Sequence, residues 1–232
     1  MPSIVIGARY TGPAKSGNGG YSCGAVARFV ASPAEVTLRA PPPLETPLEV
    51  RAAEGGVDVH HGELLVATGR ATALEVVPPA VVRFDVAEAA SATYAWRERH
   101  PIPTCFVCSP FREDGLRIFP GRVPGTDVAA APWRPDASVA DESGWVTPEC
   151  VWAALDCPSY FGIHAKHGLT PNALLGRLAA RIDQRPRVGE PCVLVGWCDE
   201  LDGRKHHVGS ALWSEERGLL AVARATWVTL RS

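Results

Sequence analysis

"ELLVATGRATALEV", residues 63–76, and "GLLAVARATWVTL", residues 218–230, are the stretches whose comparison decides the fold. Each carries a Leu-Leu pair and an Arg-Ala-Thr triplet, with one residue of slip between them. Arg70 therefore aligns with Arg224, and Thr72 with Thr226. Both stretches are rich in β-branched residues and partly alternate, as half-buried strands do. A triplet match alone is a weak signal. It gains weight because each stretch closes the same order of elements, a helix followed by a run of strands, and a repeated order points to duplication.

Working outward from the first stretch, strands are expected at 3–10, 34–40, 47–53, 56–61 and 63–77. A helix is expected at 21–30, directly after the glycine-rich "KSGNGG". Around the second stretch, strands are expected at 174–183, 191–199, 206–214 and 218–230. The helix before them, "TPECVWAALD" (147–156), has a clear start: Thr147 as N-cap, Pro148 at the first helical position and Glu149 in the first turn. Pro158 disfavours helical geometry at Cys157, so the helix is expected to stop or kink there. Prolines in "RAPPPLETPL" and "VVPPAVVRF" mark strand-flanking turns. The stretch 97–125 has little periodicity and many breakers and reads as a connector. The expected organisation is a unit at 1–96, the connector at 97–125, and a second unit at 126–232.

Apolar residues make up 46% of the 232 and charged residues 21%, ordinary values for a soluble globular protein. A net charge of −2 gives no reason for non-specific nucleic-acid binding. No apolar run approaches the roughly 18–20 residues of a membrane-crossing helix. The opening "MPSIVIGARY" lacks the basic and apolar regions of a signal peptide. Seven cysteines then read as reduced thiols, and the expected location is the cytoplasm.

Asp156 stands at the end of an otherwise apolar helix. A carboxylate there faces the negative end of the helix dipole, and burial beside Trp152 and Leu155 disfavours its charge. Both effects raise its pKa, as suits a base near neutral pH. The alternative is an aspartate that caps a turn after the helix or pairs with Lys166 or an arginine. The bare backbone of "SGNGGY" can present helix-start amides to an oxyanion, permit close packing, or simply turn. "DGRKHHVG" (202–209) is a basic hairpin able to meet phosphates, or a solvated turn. "CPSYFGIHAKHGLTPN" (157–172) reads as the wall or lid of a pocket, or as a plain loop. Cys105 and Cys108 form a lone C-x2-C pair with His100 nearby. Structural zinc takes four ligands, usually two such pairs, so no metal is expected. Cys23 and Cys157 read as buried small hydrophobes.

A helix followed by long antiparallel strands, occurring twice, resembles the acyl-CoA thioesterase superfamily. The likeness is to members with two fused hotdog units, similar to 4-hydroxybenzoyl-CoA thioesterase and acyl-CoA thioesterase II. It covers nearly the whole chain outside the connector. It implies an α+β fold, a double (tandem) hotdog in which each antiparallel sheet wraps around a central helix. The implied activity is hydrolysis of an acyl-CoA or related acyl thioester. Coenzyme A would arrive as part of the substrate, without other cofactors. The family carries an aspartate in a similar "A-x-D" context, which makes Asp156 the base or nucleophile. Helix-start amides at Gly20 and Tyr21 become the oxyanion hole, with Asn18 and Gly19 against the substrate. Thr226 falls where the family often places a water-positioning glutamine, from which a threonine departs; Arg204, Lys205 and His206 of the basic hairpin are the side chains expected to meet the coenzyme phosphates. The glycine-rich start survives only in the first half and the carboxylate only in the second, so one site per chain is expected. It should lie between Asp156 and residues 18–21, with Tyr21 at its border. A homodimer of double hotdogs is the implied assembly. Two other readings remain: a non-catalytic protein that binds an acyl thioester or lipid, and a hydratase or dehydratase recruiting His164 and His167.

Overall fold

Alternation in the sequence becomes one continuous antiparallel sheet. The computed structural model describes residues 2–231. In chain order the elements are β1 (Ser3–Ile4), α1 (Gly19–Ala27), β2 (Ala34–Leu38), β3 (Leu48–Ala53), β4 (Gly56–His61), β5 (Leu64–Ala71) and α2 (Phe84–Ser91). They continue with β6 (Gly121–Arg122), β7 (Val128–Trp133), α3 (Pro148–His167), β8 (Ala173–Ile182), β9 (Cys192–Asp202), β10 (Lys205–Ser214) and β11 (Gly218–Thr229). The 11 strands lie in the order β1-β3-β4-β5-β2-β8-β11-β10-β9-β7-β6. Every neighbouring pair is antiparallel. The fold is hotdog-like α+β.

The first-half strands and the second-half strands meet at one seam, β2 against β8, from Ala34 opposite Ala180 to Thr37 opposite Arg177. One row across this seam carries the letters that matched in the sequence. Arg70 pairs with Glu35, Glu35 with Ala179, and Ala179 with Arg224. The aligned arginines thus stand in one row, each one strand away from the seam strand on its own side.

Helix α3 is buried along the whole run Cys150–Ile163, so it forms a central rod with no polar face. Strands β7, β9, β10 and β11 lie against it. Glycines allow the close approach. A Cβ on Gly196 would fall 1.8 Å from the Pro158 carbonyl oxygen, and one on Gly162 would fall 2.3 Å from the Trp197 backbone. The shorter α1 packs on α3 by the same device. A Cβ on Gly20 would sit 2.5 Å from the Asp156 Cβ, and one on Gly24 2.7 Å from the Glu149 Cα. Across the sheet from α3, the short α2 packs Phe84, Ala87 and Ala90 on Ala130, Val193 and Val195. Their strand neighbours Ala129, Ala131, Cys192 and Leu194 face the main core instead, the strict alternation of a two-sided sheet.

Three expectations are corrected. Helix α3 does not stop at Cys157: Pro158 lies inside it and it runs on to His167. Proline removes one N–H and crowds the preceding turn. Here the Ser159 hydroxyl donates to the Asp156 carbonyl (2.6 Å) and the Ser210 hydroxyl to the Leu155 carbonyl (2.6 Å). The helix ends instead at Gly168, in the left-handed region at φ 67°, whose N–H returns to the His164 carbonyl. The stretch 157–172 is therefore mostly helix, not a loop or lid. The start 3–10 is strand only at Ser3–Ile4, with a 3-10 turn at Ala8–Tyr10. The connector at 97–125 packs into the core. It contributes β6, and its Phe106, Val107 and Ile118 are fully buried. Backbone bonds fix it, from Phe106 N–H to the Thr11 carbonyl (2.8 Å) and from Ile118 N–H to the Val107 carbonyl (3.0 Å).

Candidate active site

Where the start of α1 meets the middle of α3, a cavity of about 340 Å³ opens. Both halves build it: Gly17, Asn18 and Gly19 on one side, and Asp156, Leu175 and Trp227 on the other. Trp96, Tyr160 and Phe161 give it an aromatic wall. Phe161 packs edge-on to Trp96 and to Tyr160, with centroids 4.8 and 5.3 Å apart, a geometry favoured by aromatic quadrupoles.

Asp156 is the buried carboxylate of this cavity, with 2% of its surface exposed. One oxygen, Oδ2, accepts the Gly20 N–H (2.9 Å) and the Asn18 Nδ2 (3.2 Å). The other, Oδ1, is buried and has no protein partner. Burial pushes the Asp156 pKa up to about 7, while the Gly20 and Asn18 hydrogen bonds pull the other way. The raised pKa anticipated from the sequence is present. Its cause is burial, because the carboxylate sits at mid-helix and not at the negative end of the dipole.

Asn18 caps α1, and its Oδ1 accepts the Tyr21 N–H at 2.9 Å. Two of the first amides of α1 are thereby engaged, Gly20 by Asp156 and Tyr21 by Asn18. This corrects the expectation that they form a free oxyanion hole. Gly19, at the first helical position, has no intrahelical acceptor for its N–H, and it lines the cavity. Tyr21 does not border the cavity. Its ring stacks on Tyr10 at 3.7 Å between centroids and 9° between planes.

Thr226 is also displaced. Ala223, Ala225 and Trp227 of β11 face the main core, so Thr226 points to the other side of the sheet. Trp227 takes the inner position and donates its indole N–H to Ser159 (3.0 Å). Arg204, Lys205 and His206 lie at the β9–β10 turn and do not line the cavity. Arg204 and His206 bond instead to the Thr229 carbonyl (3.2 Å) and hydroxyl (2.7 Å). His164 and His167 occupy the last turns of α3, away from the cavity lining. Gly19 and Gly20 do not keep room for a substrate. A Cβ on Gly19 would meet Leu175 at 2.9 Å and one on Gly20 would meet α3, so both serve packing.

Spacing could not reveal one feature of this cavity. Cys105, Cys108 and Cys157 converge there, with Sγ–Sγ distances of 3.5 Å (105–108), 3.7 Å (105–157) and 3.2 Å (108–157). All three thiols are buried and line the cavity. His100 Nε2 stands 3.4 Å from Cys108 Sγ, while its Nδ1 accepts the Ile102 N–H (2.9 Å). Only Cys105–Cys108 was visible as a motif. Cys157, remote in sequence, is brought in because α3 continues through Pro158.

The same arrangement of sheet and helices occurs in a solved structure, the tesB protein of Mycobacterium avium subs paratuberculosis. The two align with a TM-score of 0.62 over 94% of this chain and 89% of that one, at 11% identity. The chain shares the fold of that protein. The E. coli PaaI protein from the phenylacetic acid degradation operon aligns over 44% of this chain and 75% of its own, with 9% identity and a TM-score of 0.40. Zebra fish thioesterase superfamily member 2 aligns over 44% and 75%, with 12% identity and a TM-score of 0.41. No family model and no curated protein matches the sequence. Among the described residues, no helix is long and apolar enough to cross a membrane.

Chemically, the site joins a carboxylate with one free oxygen, an aromatic wall, and the start of a helix. A carboxylate in such a place can take a proton from water or attack an electrophilic carbon. The aromatic wall suits an apolar group, and the cavity volume falls in the range of small-molecule sites.

Proposed function

We propose that this chain hydrolyses an acyl thioester at the Asp156 cavity, with Asp156 as general base. The observation that carries the reading is the divided state of the carboxylate. Oδ2 is held by Gly20 and Asn18, Oδ1 is buried without a partner, and Asp156 lines the cavity. In the proposed reaction Oδ1 takes a proton from water as the water oxygen bonds to the thioester carbon. The carbonyl electrons move to oxygen, where the helix start and the Gly19 amide favour negative charge. Collapse expels the thiolate, which receives the proton from Asp156. A carboxylic acid and a free thiol result. The acyl group rests on the wall of Trp96, Tyr160 and Phe161.

On this reading the two halves, 1–96 and 126–232, are tandem hotdog units joined at the β2–β8 seam. The row Arg70, Glu35, Ala179 and Arg224 supports it. A carboxylate from one half and a helix start from the other make one site per chain. Coenzyme A is the proposed carrier of the acyl group.

The test is a panel of coenzyme A thioesters with short, long and aromatic acyl groups, assayed for released thiol. Steady turnover of at least one class supports the reading. The position of Thr226 favours a second reading, because the residue expected to position water does not line the cavity. A protein that binds the panel without releasing thiol is a binding protein, and that result would displace the first reading.

A further inference from the structure

We propose that Cys105, Cys108 and Cys157 bind one zinc ion through three thiolates, with the fourth coordination position facing the cavity. The inference stands apart from thioester hydrolysis and rests on the sulfur geometry. Thiolates about 2.3 Å from a tetrahedral zinc stand about 3.8 Å from one another. The three sulfurs here lie 3.2, 3.5 and 3.7 Å apart. A disulfide would draw two sulfurs to about 2.05 Å and exclude the third. A mutual triangle is instead the shape of a ligand set. Thiolate donors select zinc among the abundant divalent ions, since magnesium and calcium prefer oxygen.

The surroundings complete the site. His100 Nδ1 accepts the Ile102 N–H, so the proton of the neutral ring lies on Nε2 and points at Cys108 Sγ, 3.4 Å away. This is an outer-shell donor to a metal-bound sulfur, not a fourth ligand. Three thiolates around Zn²⁺ leave one net negative charge, which that N–H helps to stabilise. Each thiol loses its proton on binding, and the protons pass to solvent. All three cysteines line the cavity, so the remaining position opens into it and takes water. The ion ties the connector, through Cys105 and Cys108, to α3 through Cys157. The expectation of a metal-free protein rested on the missing second C-x2-C pair, and Cys157 supplies the ligand that spacing hid.

The experiment uses the full chain, purified under reductant from zinc-supplemented cells and measured by elemental analysis. It predicts close to one zinc per chain. After removal by a chelator, anaerobic Co²⁺ should give tetrahedral d–d bands and a charge-transfer intensity reporting three thiolates. Cys157→Ser and Cys105→Ser should each lose the zinc. Cys198→Ser, outside the cluster, should keep it. If the serine variants fail to fold, the cobalt spectrum of the parent decides through its thiolate count. A reduced parent that takes up neither zinc nor cobalt overturns the proposal. So does zinc retained by both folded variants, or a cobalt spectrum without thiolate charge transfer.

Discussion

Asp156 has its two oxygens in different circumstances, and the difference is set by two residues of α1. Gly20 brings an N–H to Oδ2 because it has no side chain to hold α3 away. Asn18 reaches the same oxygen while capping the helix. Asn18→Ala removes the cap and that bond together. It should cost about 1 kcal/mol of stability or somewhat more, measured by urea unfolding; an unchanged midpoint would mean that the cap contributes nothing. Gly20→Ala places a methyl 2.5 Å from the Asp156 Cβ and 2.7 Å from the Trp152 carbonyl oxygen. Backbone must shift, so a loss of about 3 kcal/mol is expected. A Gly20→Ala protein as stable as the parent would show that α1 does not press on α3 as described. Asp156 itself was legible in the sequence, because a carboxylate ending an apolar run demands an explanation. Its partners were not, because a glycine cluster before a helix looks the same whether it serves a substrate or a neighbouring helix.

At the scale of elements, α3 and the sheet interlock through Gly162 and Gly196. A Cβ on Gly196 would overlap the Pro158 carbonyl, whereas Gly203 in the β9–β10 turn has open space around it and needs only its φ of 54°. Gly196→Ala should therefore leave little soluble folded protein. Gly203→Ala should fold and lose only about 1 kcal/mol, the modest cost of strain at positive φ. Comparing soluble yield and urea midpoints checks this, and similar behaviour of the two variants would contradict the packing. Strands β2–β5 and β8–β11 were readable, since alternation and flanking Gly or Pro act locally, whereas β6 and β7 were not expected and the run 3–10 is strand only at Ser3–Ile4. The true length of α3 was not. Pro158 is a local stop signal, and it is overridden by the burial of α3 against strands distant in sequence. Helix α2 was missed because "FDVAEAAS" is short, follows a proline-rich stretch and has no strong cap.

At the scale of the whole molecule, the two halves share a sheet seam, a helix–helix contact and a buried connector. They should unfold together. Far-UV circular dichroism follows both halves. Tryptophan fluorescence follows mainly the second, because Trp96 is the only tryptophan before residue 133. The two signals should give coincident urea transitions. A fluorescence transition clearly separated from the circular dichroism one would mean that the halves fold independently. The repeat was visible as shared letters at 63–76 and 218–230. Its meaning, two arginines in one row across the seam, appears only once the sheet is assembled.

The central claim is that a buried carboxylate shared between the two halves carries out thioester hydrolysis. Asp156→Asn tests it most directly, on the best substrate of the acyl thioester panel. The amide is nearly isosteric and its oxygen still accepts from Gly20, so circular dichroism and the urea midpoint should stay close to the parent. The account predicts that kcat for thiol release falls roughly a hundred- to ten-thousand-fold, the range expected for loss of a general base. A folded Asp156→Asn protein that releases thiol as fast as the parent would contradict it.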